Sequence, residues 1–238
     1  MTKHFKGKTA RDTQVSIITA RSLALETLIE ILEESAFANI AVNKSLVRYP
    51  LKGPERGLFT ELVYGVSRTW NTIDWLLSKF LKRKLESLTP QIRNILRLGI
   101  YQLYYLDKIP PHAAIFQSVE LAKIYGHRGV AGLVNGVLRN FQRNKEKIVF
   151  PSLKKEPILH LSLKYSHPEW LISRWVSEFG LEETIALCQY NNAPAKLSLR
   201  VNTLKSSREN LLVNLSERGL EVVPSEMVPE GVVVENWQ

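Results

Sequence analysis

Three features are scarce in this chain of 238 residues, and each absence excludes a class of protein. Cys188 is the only cysteine, which excludes an internal disulfide framework and is typical of a reducing compartment. No uninterrupted apolar run approaches the roughly 20 residues that cross a membrane. Residues 1–14 contain no apolar segment of the kind found in a secretory signal. We therefore expect a cytoplasmic protein without a membrane partner.

Patterns that carry catalysis or bind metal are scarce as well. The histidines are His4, His112, His127, His160 and His167. Their spacing matches no metal site, and the acidic residues do not cluster with them. No predicted strand leads through a Gly-rich turn into a helix, and the glycines between Gly129 and Gly136 lie inside an apolar helical pattern, where we interpret them as packing residues. Cys188 has no neighbouring base and is interpreted as a structural thiol.

The net positive charge of the chain lies in its first two thirds. Residues 1–155 hold 25 lysines and arginines against 12 acidic residues, whereas residues 156–238 hold 7 against 11. A strongly basic segment beside a mildly acidic one indicates a polyanionic partner for the first, most simply nucleic acid. The alternative is that the surplus lysine only keeps the protein in solution.

Helical periodicity dominates the chain up to Phe141. Apolar residues recur at steps of three and four from Ile92 to Tyr104, Pro111 can start the next helix, and Gly126 can end it. We predict about seven helices, with the one that begins at Gly53 breaking or bending near Asn71. The predicted organisation is a basic arm (1–18), an all-helical domain (19–141), a basic linker bounded by prolines (142–157) and a smaller α+β segment (158–238).

The pattern changes in the last segment. A helix should end at Gly180, and residues 196–202 alternate polar and apolar, which predicts a half-buried strand. Ser206 and Glu209 predict a capping box for a further helix, and residues 220–223 and 231–235 read as two short strands. The order β-α-β-β is half of a ferredoxin-like, or RRM-like, sandwich.

Several basic or amide side chains are candidates for contacts with nucleic acid. They are Lys8, Arg11, Lys82, Arg83, Lys84, Arg93, Arg97, Arg139, Arg143, Arg200 and Asn202. Arg93 and Arg97 lie one turn apart on one predicted helix face, and Arg200 and Asn202 should share one face of a strand. An ordinary solvated charged surface is the alternative for each of them.

Five stretches together resemble a known family. They are ARSLALETLIEIL, ERGLFTELVYGVSRTWNTIDWLL, LRLGIYQLYYLDKIPPHAAIFQSVELAKIYG with GLVNGVLRNF, YSHPEWLISRWVSEFG and LSLRVNTLK. The chain resembles the N-terminal part of the RsmB (Sun, Fmu) family of ribosomal RNA cytosine-C5 methyltransferases, in which a NusB-like helical RNA-binding domain precedes an RRM-like subdomain. The resemblance implies ribosomal RNA as a partner.

The family's chemistry has no counterpart in this sequence. The resemblance implies a catalytic domain that binds S-adenosylmethionine and uses a pair of cysteines, and we expect that domain to lie outside this chain and to be its second partner. This chain should therefore bind no cofactor itself and should be inactive alone. Two other functions stay open: a NusB-like transcription antitermination factor, and a helical module that binds proteins.

Overall fold

The computed structural model describes residues 18–193 and 195–235. The helices within these ranges are α1 (Ala20–Leu32), α2 (Ala38–Arg48), α3 (Gly53–Ser78), α4 (Pro90–Tyr105), α5 (Pro111–Tyr125), α6 (Arg128–Asn144), α7 (Pro157–Tyr165), α8 (Glu169–Asn192) and α9 (Arg208–Glu217). The strands are β1 (Leu197–Arg200), β2 (Val222–Pro224) and β3 (Gly231–Val234). The expectation of a mostly α chain with a small α+β segment is confirmed.

Helix α4 is the centre of the first compact unit. Pro90 occupies its first turn, where the missing amide hydrogen costs nothing, and eleven of its sixteen residues are buried. It packs against α1, α3, α5 and α6, so apolar stripes from four helices converge on it. Burial on nearly every side explains why its sequence carries so few charges.

Helix α3 is continuous from Gly53 to Ser78, so of the break or bend predicted near Asn71 the break does not occur. The Asn71 side chain does not compete with its own helix, because its Nδ2 donates to the carbonyl oxygen of Ser162 at 3.2 Å. The next residue does the same: Thr72 Oγ1 donates to the carbonyl oxygen of Leu163 at 2.6 Å. These polar contacts attach α7 to the middle of α3.

The first compact unit runs through Cys188, well past the predicted domain end at residue 141. The Phe150 ring, within the predicted linker, stacks on Trp75 of α3 with 4.6 Å between ring centroids. Leu161, Ile172 and Cys188 form a small second core. Helix α8 consists of two helical pieces that meet at a kink at Gly180, where φ is 83° and ψ is 173°, so the predicted helix end at this residue is confirmed. Across the described ranges, no helix is both long and apolar enough to cross a bilayer.

The second unit, from residue 189 onward, contains a three-stranded antiparallel sheet in the order β1-β3-β2. Val232 and Val234 of β3 are buried, and α9 packs against β2 and β3. The helix cap differs from the prediction by one residue: the side chain of Ser207, not Ser206, accepts a hydrogen bond from Asn210 N. The predicted order β-α-β-β is confirmed.

Candidate nucleic-acid interface

Helix α6 presents a basic face to solvent. Its buried residues are Ala131, Val134, Val137, Leu138 and Phe141. Arg128, Arg139 and Arg143 are exposed on the opposite side, and the helix contains no aspartate or glutamate. Steps of four and three residues, through Gly132 and Gly136, join these arginines into one stripe. The result is a row of cations without an acidic residue on the same helix.

The two glycines in this stripe do not pack against any other residue that the structure describes. A Cβ atom added at Gly132 or Gly136 would meet nothing within 4 Å, so the interpretation of these glycines as packing residues is wrong. Glycine in a helix interior costs about 0.5–1 kcal/mol relative to alanine. Because neither glycine has a side chain, the helix backbone between Arg128 and Arg139 is open to close approach from solvent.

The triplet Lys82, Arg83 and Lys84 is exposed in the connection between α3 and α4. Arg83 lines a cleft of about 530 Å³ together with Tyr125 at the end of α5 and with His127 and Gly129 at the start of α6. His127 Nδ1 accepts a hydrogen bond from Gly129 N at 3.1 Å and thereby caps α6. The cleft brings the triplet and the N-terminal end of the basic helix to one surface.

Arg93 and Arg97 lie in an ion-pair network and are not free surface cations. Arg97 bridges two carboxylates, with Nη2 at 2.6 Å from Asp74 Oδ2 and Nη1 at 3.3 Å from Glu33 Oε1. Arg93 donates to the same Glu33 carboxylate through Nε and Nη2. The charges of both arginines are thus used inside the protein to hold α1, α3 and α4 together.

Glu33 is the acceptor at the centre of this network. Burial alone would raise its pKa, but hydrogen bonds from Arg93 and Asn94 and the charges of both arginines together lower the pKa below its ordinary value. The carboxylate is therefore ionised at neutral pH and compensates the two guanidinium groups. Because carboxylates occupy both guanidinium groups, we expect neither arginine to contact RNA.

The remaining candidates lie in the second unit or outside the described residues. Arg200 is exposed at the end of β1. Asn202 lies beyond the strand in a turn, where its Oδ1 accepts from Leu204 N at 3.1 Å, so the prediction that it shares a strand face with Arg200 is wrong. Lys8 and Arg11 lie outside the described residues.

Arg128 was not among the predicted contacts. Its signal was available in the sequence, because Arg128, Arg139 and Arg143 are 11 and 4 residues apart, spacings that place them on one helix face. The partners of Arg97 carried no such signal. Asp74 and Glu33 lie 23 and 64 residues away along the chain, and only the packing of three helices brings them together.

These features define a class: a helical domain with a basic outer helix, followed by a ferredoxin-like α+β segment. Comparison with known families agrees, since residues 18–143 match the NusB family. Residues 167–237 match the Methyltr_RsmF/B-like, ferredoxin-like domain. Because the first match spans more than half of the chain, the protein belongs to the NusB family.

Curated relatives extend the likeness beyond the helical domain. Probable ribosomal RNA small subunit methyltransferase B of Bacillus subtilis (strain 168) is 37% identical over 214 residues, and the protein of the same name from Synechocystis sp. is 37% identical over 216. These matches cover 90% and 91% of this chain but 47% and 48% of the relatives. The chain therefore spans about half the length of the curated relatives that it matches.

A solved structure supports the fold. The crystal structure of PH0851 superposes with a TM-score of 0.63 at 23% identity, covering 95% of this chain and 50% of that one.

Proposed function

We propose that this chain is the RNA-binding, N-terminal portion of a ribosomal RNA small subunit methyltransferase B, acting in the cytoplasm on 16S rRNA. The observation that carries the proposal is the basic face of α6, with Arg128, Arg139 and Arg143 exposed and no acidic residue on the helix. Guanidinium groups bind phosphate oxygens through paired hydrogen bonds. The exposed Lys82–Lys84 triplet extends the same surface, and Lys8, Arg11 and Arg200 remain further proposed contacts.

Methyl transfer itself is assigned to a partner domain. S-adenosylmethionine, the methyl donor expected for the family, needs a strand that leads through a Gly-rich turn into a helix N-terminus. The described strands are short and antiparallel, and the exposed glycines of α6 lie in mid-helix. The described residues thus do not fit this cofactor, and we propose that the missing catalytic domain supplies both the cofactor site and the reactive cysteines.

The segment from residue 167 onward favours this proposal over an antitermination factor. A transcription factor of the NusB type needs only the helical domain, whereas this chain continues into a segment that matches the ferredoxin-like domain of RsmF/B-like methyltransferases. When two modules are joined, RNA bound by one of them has a high effective concentration at the other. RNA held by α6 would accordingly be presented to the catalytic domain at high effective concentration.

The test is a titration of the chain with single-stranded RNA at several salt concentrations. The double variant Arg139→Gln/Arg143→Gln removes two cations that have no acidic partner among the described residues. The matched control, Lys44→Gln/Arg174→Gln, removes the same charge from two exposed residues that pair with Glu30 and Glu178. Each lost phosphate contact should flatten the slope of log K against log salt by roughly 0.7.

We expect the first variant to bind RNA more weakly than the control and to show a slope shallower by roughly 1.4. Equal affinities and equal slopes for the two variants would remove α6 from the interface. An unmodified chain that binds no RNA at low salt would overturn the proposed function itself.

A further inference from the structure

A second recess lies on the other side of the α6 arginine stripe, between α5 and α6. It encloses about 290 Å³ and is lined by His112, Ile115, Phe116, Val119, Asn135, Arg139 and Gln142. We propose that this recess binds a single unstacked base of the RNA whose phosphates contact α6. The proposal rests on the proposed function, since it adds a base site to the same helix.

The size of the recess selects its occupant. Pockets for drug-sized ligands measure about 300–1,000 Å³, so a recess of 290 Å³ is of the size that holds one small group such as a base. Its floor is apolar, with Ile115 buried and Val119 half-buried. Phe116 forms an exposed wall, with 58% of its surface accessible. An apolar floor beside an exposed aromatic ring is the arrangement on which a base stacks.

The polar residues of the recess supply hydrogen-bond donors and acceptors, which a base edge can use and an aliphatic side chain cannot. Asn135 and Gln142 carry amides, the groups that pair with base edges. Arg139 Nε donates to Asn135 Oδ1 at 2.9 Å, which orients both side chains. The terminal nitrogens of Arg139 have no partner among the described residues, so they can bind the phosphate of the same nucleotide.

Charge favours RNA over a protein as the source of the occupant. Among its lining residues the recess has no acidic side chain, and the only charged residue is Arg139. The helix that forms one wall carries three arginines and no acid. A base enters such a recess with a phosphate attached, so the stripe of cations and the apolar recess are used by one ligand. A hydrophobic peptide segment would leave the cations of the rim unused.

The test compares two single-stranded RNA probes of equal length and charge, one complete and one with abasic sites, on the intact chain. Phe116→Ala should weaken binding of the complete probe roughly 5- to 100-fold and leave the abasic probe unchanged. Phe116→Tyr should retain most of the affinity, since a ring remains. Phe37→Ala, which removes another exposed phenylalanine, the residue that precedes α2, is the control.

The outcomes separate this inference from the proposed function. If Phe116→Ala binds the complete probe as well as the Phe37→Ala control does, no base occupies the recess, and a protein side chain becomes the better occupant. RNA binding that still weakens with Arg139→Gln/Arg143→Gln would then preserve the phosphate interface while overturning the base site. Gln142→Ala gives a second measurement, with a smaller loss expected for the complete probe alone.

Discussion

Replacing Arg97 by methionine should destabilise the protein without lowering its affinity for RNA. Side-chain exposure is 8% for Arg97, 16% for Glu33 and 23% for Asp74, so the substitution leaves two carboxylates poorly hydrated and facing an apolar group. Removing one partner of a buried ion pair costs about 3–5 kcal/mol. Because both carboxylates retain some water, and Glu33 keeps Arg93, we expect a loss near the lower end, about 3 kcal/mol.

Urea unfolding of the intact chain measures this loss. A domain with a free energy of unfolding of about 5–15 kcal/mol would show a clear fall in the midpoint at an unchanged slope. The matched control is Arg174→Met, which breaks an exposed pair with side-chain exposures of 67% and 46%. Exposed pairs contribute about 0–1 kcal/mol, so this variant should unfold close to the unmodified protein.

A double-mutant cycle with Asp74→Asn tests whether the effect comes from the ion pair. If it does, the two losses should fall short of additivity by about 0.5–3 kcal/mol. An Arg97→Met loss equal to that of Arg174→Met would refute the reasoning. So would a folded Arg97→Met chain whose RNA affinity fell as far as that of the Arg139/Arg143 variant, because Arg97 would then be an RNA contact.

Three further predictions follow from single positions. The folded pKa of Glu33 lies below the ordinary value of about 4.3, so the stabilisation from its ionised form should be complete at neutral pH and lost as the pH falls through the folded pKa. The difference in unfolding free energy between the unmodified chain and Glu33→Gln should therefore shrink in acid. Gly65→Ala should destabilise strongly, because its Cβ would collide with the Tyr101 ring, whereas Gly132→Ala should gain about 0.5–1 kcal/mol in thermal unfolding. Burial raises the pKa of Cys188 to about 11, so iodoacetamide at pH 8 should label it only after denaturant is added.

The sequence was sufficient where the signal is local. Helix α4 follows from Pro90 and from apolar residues at helical spacing, and the break at Gly180 follows from a glycine between two periodic segments. The β-α-β-β order follows from alternation and turn residues. Each of these features depends on residues within one or two turns of each other.

The failures have a common cause, because each depends on a partner distant in sequence. Arg97 and Arg139 look alike along the chain, yet one lies among carboxylates from α1 and α3 and the other faces solvent. The apolar neighbours of Gly132 indicate a packing residue, but Gly132 itself lies on the exposed side of α6. The hydrogen bond from Asn71 to Ser162 spans 91 residues, so the sequence around Asn71 carries no sign of it.

The contact between α3 and α7 has a consequence for how the chain folds as it is synthesised. Thr72 is 1% exposed in the finished protein, and the carbonyl it donates to lies 91 residues downstream. At about 5–20 residues per second, that stretch takes roughly 5–20 seconds to emerge from the ribosome. During this interval the Thr72 hydroxyl and the Asn71 amide can form hydrogen bonds with water, which apolar side chains at these positions could not do. The face of α3 that will contact α7 thus stays hydrated until α7 has been synthesised. This hydration disfavours self-association of the partly folded chain through that face.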